Sequence, residues 1–254
     1  LSYDGQNPIP LKIRSIVGLT PLFAISTIRK EQLDILPDFK KRMTWLKDYR
    51  SSHNLFLPYE ERSEEQVTLL SLVHKDRLCR LLERLLDEDE FLSPNGIRSV
   101  SRYYADHPYT ILLNGEEHMV QYDPGDSTSG LYGGNSNWRG PVWMPVNYLF
   151  IKALQKYGDF YGDSFTVEYP KGSGLSVTLK EVAAHLSQRI ISLFCMNENN
   201  QRKIHGKYNW FYQREENKEL LLFYEFFHGE TGQGLGASHQ TGWTGLIANL
   251  VSGM

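Results

Sequence analysis

Apolar side chains recur at helical spacing through most of the chain. One helix is predicted to start at His74 and to end in the acidic run at residues 87–90. Its apolar face follows the i, i+3, i+4, i+7, i+8 rule at Leu78, Leu81, Leu82, Leu85 and Leu86. Further helices are predicted over residues 11–28, 39–46, 142–157, 179–194 and 243–251. Mainly helical structure is therefore expected.

Two of these helices have features that predict their environment or their ends. Residues 11–28 are apolar almost all round, which indicates a buried helix or helix pair. The helix over 142–157 follows Pro141, a residue suited to a first turn, and is predicted to end at Gly158. Strands are scarce, and the best candidates are residues 110–113 and 118–122, joined by a turn at Asn114-Gly115.

The composition narrows the classes of function. Of the 254 residues, 41% are hydrophobic and 22% are charged, which is typical of a globular chain with a sizeable core. A formal charge of −3 without a basic stripe argues against nucleic acid as a partner. No apolar run reaches the roughly 18 residues of a membrane helix, so we expect no membrane span.

The cysteines and histidines do not occur at the spacings typical of metal-binding motifs. Cys79 and Cys195 lie in helical patterns, where two reduced core thiols are the simplest interpretation. No CxxC or HExxH spacing occurs, and the eight histidines are scattered. We therefore expect neither a metal nor another cofactor.

Two long loops, over residues 123–140 and 228–242, separate the helices. Long loops without regular structure are usually functional or disordered in a compact protein. These contain, or directly precede, five aromatic or histidine side chains, which favours function. They are Tyr132, Trp138, His228, His239 and Trp243.

The first loop ends in a segment with the chemistry of a sugar site. Trp138 and Trp143 offer flat apolar faces for the C–H faces of sugars, and Arg139 offers a planar set of donors for hydroxyl groups. The alternative is a loop that starts a helix and whose tryptophans belong to the core. For Trp143, the two interpretations are equally good.

Glu225 is a single carboxylate inside the apolar run 220–227. Burial of an unpaired charge is costly, so Glu225 needs a partner, a wet cavity or a raised pKa. Composition alone slightly favours a structural salt bridge over a catalytic base. The glycine-rich segment that follows matches neither a phosphate loop nor a serine nucleophile elbow around Ser238.

Taken together, these stretches resemble glycoside hydrolase family 63, which includes processing α-glucosidase I and mannosylglycerate hydrolase. The strongest stretches are Asn137 to Trp143 with Val146 to Leu149, Phe223 to Phe227, and Gly234 to Gly236 with Thr241 to Thr244. Pro94 to Ser99 is a weaker match. Their order and spacing agree with the family across essentially the whole chain.

This resemblance implies an all-α fold, an (α/α)6 toroid around an acidic, aromatic-lined pocket, with a small β-hairpin insertion. It implies metal-free, inverting, exo-acting hydrolysis of α-glucosides or α-mannosides, including oligosaccharides and mannosylglycerate-type substrates. Glu225 takes the place of the general base. Trp138, Arg139 and Trp143 match the segment that contacts sugar, and Trp243 lies in the closing loop.

The resemblance also implies that part of the mechanism lies upstream of Leu1. The family's general acid is an aspartate N-terminal to this segment, and Asp123 and Asp126 are the best local substitutes. Residues 1–254 are thus expected to form the C-terminal portion of a single toroid, incomplete at its N-terminus. Alone, such a fragment would expose an apolar seam, fold poorly and not hydrolyse sugar.

Two rival functions stay open at this stage. One is a carbohydrate-binding remnant that keeps the pocket without the acid, and the other is a trehalase-like hydrolase. The chain starts with neither an initiator methionine nor a signal peptide, which predicts a cytoplasmic protein whose N-terminus is not included. The sequence does not indicate an oligomeric state.

Overall fold

A computed structural model describes residues 2–3, 8–62, 66–113, 115–128 and 140–253 of the chain. Among these residues, four longer α-helices follow one short helix and precede three more short ones. The α-helices are α1 (Lys30–Asp34), α2 (Pro37–Ser52), α3 (Lys75–Leu85), α4 (Met144–Tyr161), α5 (Leu179–Ser192), α6 (Asn209–Tyr212), α7 (Thr241–Thr244) and α8 (Ile247–Ser252). Further 3-10 helices are Ile16–Phe23, Arg102–Ala105, Gly162–Ser164 and Lys203–Tyr208.

The strands are short and antiparallel. They are β1 (Ser2–Tyr3), β2 (Pro8–Ile9), β3 (Ile25–Arg29), β4 (Tyr59–Arg62), β5 (Val67–Ser71), β6 (Leu92–Ser93), β7 (Gly96–Ile97), β8 (Tyr109–Leu113), β9 (Glu116–Val120), β10 (Thr166–Glu168), β11 (Ser176–Thr178), β12 (Phe226–Phe227) and β13 (Gly234–Leu235). Three form a sheet in the order β3-β5-β4, and the others pair two by two. Helices still predominate among the described residues, as the hydrophobic pattern predicts, but these residues form six small sheets where an all-α fold with one β-hairpin was expected.

Helices α4 and α5 pack against each other at the centre of the core. Thr178 caps α5, because its hydroxyl accepts the N–H of Glu181 while the Glu181 carboxylate accepts the N–H of Thr178. Val182, Leu186 and Ile190 follow at helical spacing and are fully buried. This helix confirms the prediction over residues 179–194, except that it ends two residues earlier, at Ser192.

Three of the predicted helices differ from the structure. Within residues 11–28, Ile16–Phe23 form a 3-10 helix, and strand β3 then pairs with β5 from Ile25 to Arg29. Helix α4 continues through Gly158, where a Cβ would lie 2.7 Å from Lys180 Cγ, so this glycine permits close packing on α5. The predicted helix over 243–251 is divided into α7 and α8.

Other predictions agree with the structure, apart from the placement of Cys195 in the core. Strands β8 and β9 form the expected hairpin, whose turn residue Asn114 lies outside the described residues. Helices α2 and α3 occupy the segments predicted for them, although α2 extends to Ser52. Both cysteines are free thiols, but Cys195 is exposed and only Cys79 packs against the core.

Candidate functional site

Three of the motif stretches meet along one line of backbone hydrogen bonds. Val142 forms antiparallel bridges with Arg98 on one side and Phe227 on the other. The N–H of Val142 donates to the Phe227 carbonyl at 2.8 Å, and the reverse bond measures 2.9 Å. The segments around residues 98, 142 and 227 are therefore fixed side by side.

Glu225 begins a hairpin made of β12 and β13. Phe226 pairs with Leu235 and Phe227 with Gly234. Just before these pairs, the Glu225 N–H donates to the Ala237 carbonyl at 2.9 Å, and the Ala237 N–H donates to Glu225 Oε2 at 3.0 Å. The side chain is half-buried between the buried Tyr224 and Phe226. A backbone donor thus orients a carboxylate that still reaches the surface.

Two glycines of the hairpin bring the backbone close to these side chains. A Cβ on Gly234 would lie 2.2 Å from the Tyr224 ring. A Cβ on Gly236 would lie 2.6 Å from Glu225 Oε2, and this residue has a φ of +70°. Since side chains rarely adopt that φ and no Cβ fits there, position 236 requires glycine. The glycine-rich motif shapes the surroundings of Glu225.

Trp243 and Trp143 both support the Glu225 segment. Trp243 Nε1 donates to the Glu225 carbonyl at 3.0 Å from helix α7. Trp143 is buried, and its ring lies 4.8 Å from the Phe226 ring and 6.2 Å, edge to face, from the Trp243 ring. Trp143 therefore packs in the core beneath the hairpin, and sugar contact by either tryptophan stays a prediction. Trp138 and Arg139 lie outside the described residues.

A second carboxylate, which the sequence did not single out, lies at the tip of the hairpin. Glu230 Oε1 accepts hydrogen bonds from Tyr122 Oη at 2.6 Å and from Arg98 Nη2 at 2.9 Å. Burial alone would raise the pKa of Glu230, but the Tyr122 hydroxyl and the Arg98 guanidinium outweigh it and leave the pKa lowered. Glu230 is therefore an ionised structural carboxylate. The weak motif at 94–99 contains its partner, Arg98.

Asp123 and Asp126, the two local candidates for the general acid, lie in the loop beside this hairpin. The Pro124 carbonyl accepts the Gly229 N–H at 2.7 Å, which joins loop and hairpin. Asp123 is buried, and its carboxylate accepts bonds from Gln121 and Thr128. Burial lowers the pKa of the adjacent His228, although the nearby charges of Glu230 and Asp126 oppose this. Asp123 and Asp126 as general acids therefore stay predictions.

The described side chains include no cluster of three or more histidine, cysteine or acidic residues that could hold a metal ion. Within the described ranges, no helix is both long and apolar enough to cross a membrane. The chemistry that these residues offer is that of oriented carboxylates, aromatic rings and one buried guanidinium.

Comparison with known proteins gives this arrangement a context. Residues 59–244 match the family described as the mannosylglycerate hydrolase MGH1-like glycoside hydrolase domain, and this range contains Glu225, Glu230, Trp143 and Trp243. An uncharacterized protein of Saccharomyces cerevisiae is 46% identical over 253 residues, which cover 98% of this chain and 23% of that protein.

Two further relatives have names that specify an activity. A probable mannosyl-oligosaccharide glucosidase of Schizosaccharomyces pombe is 25% identical over 72% of this chain and 16% of its own length. Mannosyl-oligosaccharide glucosidase of Saccharomyces cerevisiae is 30% identical over 45% of this chain and 11% of its own length. The chain thus spans less than a quarter of the length of these relatives.

Proposed function

Because the chain belongs to the mannosylglycerate hydrolase MGH1-like glycoside hydrolase family, we propose that it supplies the general base of an inverting glycosidase, Glu225. Membership of this family confirms the predicted resemblance to glycoside hydrolase family 63 and the prediction that the domain is of the glycoside hydrolase type. The observation that supports Glu225 most strongly is its carboxylate, held by the Ala237 N–H and close to Gly236, yet half-exposed.

In an inverting hydrolysis, two carboxyl groups act on opposite faces of the sugar ring. One protonates the glycosidic oxygen, and the other removes a proton from the attacking water, with the pair about 6.5 to 9.5 Å apart. Glu225 suits the second role, because the backbone donor fixes Oε2 and leaves Oε1 to accept the proton from water. The C–O bond breaks as the new bond to water oxygen forms with inverted configuration.

The acid of this pair is proposed to be an aspartate in a part of the protein that precedes residue 1. The relatives are more than four times as long as the region they share with this chain, which leaves room for such a segment. Residues 1–254 would then be the C-terminal portion of an (α/α)6 toroid. Asp123 and Asp126 are the alternatives within the chain, since their loop contacts the Glu225 hairpin at Gly229.

The proposed substrate is an α-linked glucose or mannose at the end of an oligosaccharide or on a glycerate-type acceptor. The relatives' names and the family description support this choice. Trp138, Arg139, Trp143 and Trp243 are proposed to contact the sugar.

The test is Glu225→Gln in the full-length protein, assayed on α-glucosides, α-mannosides, mannosylglycerate and trehalose. We expect turnover to fall about 10²-fold or more, the usual scale for a lost general base. Sugar affinity measured by calorimetry should stay within a few-fold. Glu219→Gln, an exposed carboxylate of the same segment, is the control and should behave as wild type.

Other outcomes would point to other functions. Near-normal turnover of Glu225→Gln would remove Glu225 from the mechanism. A wild-type protein that binds these sugars without hydrolysing any would be a carbohydrate-binding remnant. Preferential hydrolysis of trehalose would identify a trehalase-like enzyme.

A further inference from the structure

Arg98 is a buried, fully engaged cation next to the Glu225 hairpin. Its side chain is 1% exposed. Nη1 donates to the Glu88 carbonyl at 2.9 Å and also to the Leu92 carbonyl. Nε donates to Tyr122 Oη at 2.9 Å. These bonds hold the planar guanidinium rigidly, in an orientation suited to a carboxylate partner.

That partner is Glu230, at the tip of the hairpin. Glu230 Oε1 accepts from Arg98 Nη2 at 2.9 Å, from Arg98 Nε at 3.2 Å and from Tyr122 Oη at 2.6 Å. The main chain of the tip is held from the same segment, because Asn95 Nδ2 donates to the Gly229 and Glu230 carbonyls at 3.0 Å each. Side chain and backbone therefore fix the tip to residues 95–98.

The tip matters because the hairpin has little structure of its own. Strands β12 and β13 pair through two residues each, and a two-stranded hairpin is marginal in isolation. The bond from Ala237 N–H to Glu225 Oε2 lies at the open end of the same hairpin. A shift of the tip would move residues 234–237 relative to Glu225 and change that bond.

We propose that Arg98 and Glu230 are positioning residues, which set the carboxylate of Glu225 by anchoring the hairpin tip. This inference rests on the proposed role of Glu225 as base. Neither residue needs to touch the substrate for this role. Displacement of a reacting group by about 1 Å can cost on the order of 10²-fold in rate, so an anchor of this kind is expected to act on turnover.

The test is a double-mutant cycle in the full-length protein, with Glu225→Gln, Glu230→Ala and the double variant. We expect Glu230→Ala to lower kcat about 10- to 100-fold with KM changed less than about threefold. In the Glu225→Gln background, Glu230→Ala should cause no further loss, because no carboxylate is left to position.

Glu60→Gln is the matched control. The Glu60 carboxylate also accepts a tyrosine hydroxyl, from Tyr161 at 2.9 Å, but lies on strand β4. Its loss should change Tm without changing kcat. If Glu230→Ala fails to fold, Glu230→Gln replaces it in the same cycle, since the amide oxygen can still accept from Tyr122 and Arg98. A partial loss of kcat is then expected.

The outcomes separate the two hypotheses. If Glu230→Ala leaves kcat unchanged, or lowers it equally in both backgrounds, the positioning role is wrong while the base role of Glu225 stands. If Glu225→Gln itself keeps normal turnover, the base role is wrong, and the positioning role fails with it.

Discussion

The Glu225 hairpin and helix α2 show two ways of building a local structure. The hairpin, residues 225–237, is irregular and is tied by bonds from residues 95, 98, 142 and 243. Helix α2 satisfies its own backbone, and none of its sixteen residues, all of which are described, is buried. Its Trp45 and Tyr49 stack on each other and are 62% and 44% exposed.

The difference teaches where sequence pattern suffices. Helix α2 is formed by hydrogen bonds between neighbouring turns and has Pro37 at its first position, so a local pattern predicts its middle, residues 39–46. The hairpin depends on distant partners, which no local pattern reveals. The proposed base lies in the region whose geometry is set from several parts of the chain.

The largest effect expected from breaking the hairpin comes from Gly236→Ala. The added Cβ would lie 2.6 Å from Glu225 Oε2 at a residue with φ of +70°, so the carboxylate has to move. We expect kcat to fall on the order of 10²-fold. Gly172→Ala is the control, because it has a φ of +86° and nothing within 4 Å of its Cβ. Equal kcat for the two variants would show that the close approach at Gly236 is unimportant.

The second-largest effect is expected on the pH dependence of stability, through the aromatic side chains that pack behind the hairpin. The His205 ring stacks on Tyr212 at 3.8 Å, and Tyr212 Oη lies 3.0 Å from Tyr224 Oη, next to Glu225. Burial, with the nearby Arg202, lowers the pKa of His205 from 6.5 to about 4. The unfolded chain therefore takes up this proton first as the pH falls. The stability that neutral His205 contributes is fully present above about pH 6.5 and is lost by about pH 4.

Between pH 6.5 and pH 4, the titration of His205 lowers the free energy of unfolding by at most about 3 kcal/mol. The measurement is Tm against pH for wild type and His205→Phe, which keeps an aromatic ring for the stack on Tyr212. We expect a flatter curve between pH 4 and 6.5 for the variant. Parallel curves would contradict the shifted pKa.

The smallest effect is expected for Trp243→Phe, set against Trp45→Phe on α2. The first variant keeps a ring but loses the bond from Nε1 to the Glu225 carbonyl, which costs about 1 kcal/mol of stability. A several-fold fall in kcat should accompany it. Trp45→Phe should change neither Tm nor kcat, and a comparable loss there would show that another part of the protein covers α2.

Much of the helical framework could be predicted from the sequence, because apolar side chains at helical spacing identify α3 and α5. Residues 11–28 show the limit. Their apolar run fits a buried helix as well as it fits a 3-10 helix followed by a strand, and only pairing with β5 decides between them. The prediction that α4 ends at Gly158 was wrong for a related reason. This glycine allows α4 to pack closely against Lys180, and the helix continues through it.

For the candidate site, the resemblance of the motifs makes Glu225 the candidate base, while the physical pattern alone slightly favours a salt bridge for it. A carboxylate five residues later in the same hairpin, Glu230, forms a salt bridge, and its partner Arg98 lies 132 positions away in the sequence. No spacing rule connects such residues. The roles of Trp143 and Trp243 beneath the hairpin likewise depend on tertiary packing.

The most direct test of Glu225 as general base is chemical rescue of Glu225→Ala in the full-length protein. Azide, acting on α-glucosyl or α-mannosyl fluoride, can attack the anomeric carbon from the face that water normally uses, while fluoride departs from the other. Proton NMR of the product gives its configuration. We predict an azide-dependent rate that yields the β-glycosyl azide. No rescue by azide, or an α-glycosyl azide with retained configuration, would contradict the assignment of Glu225.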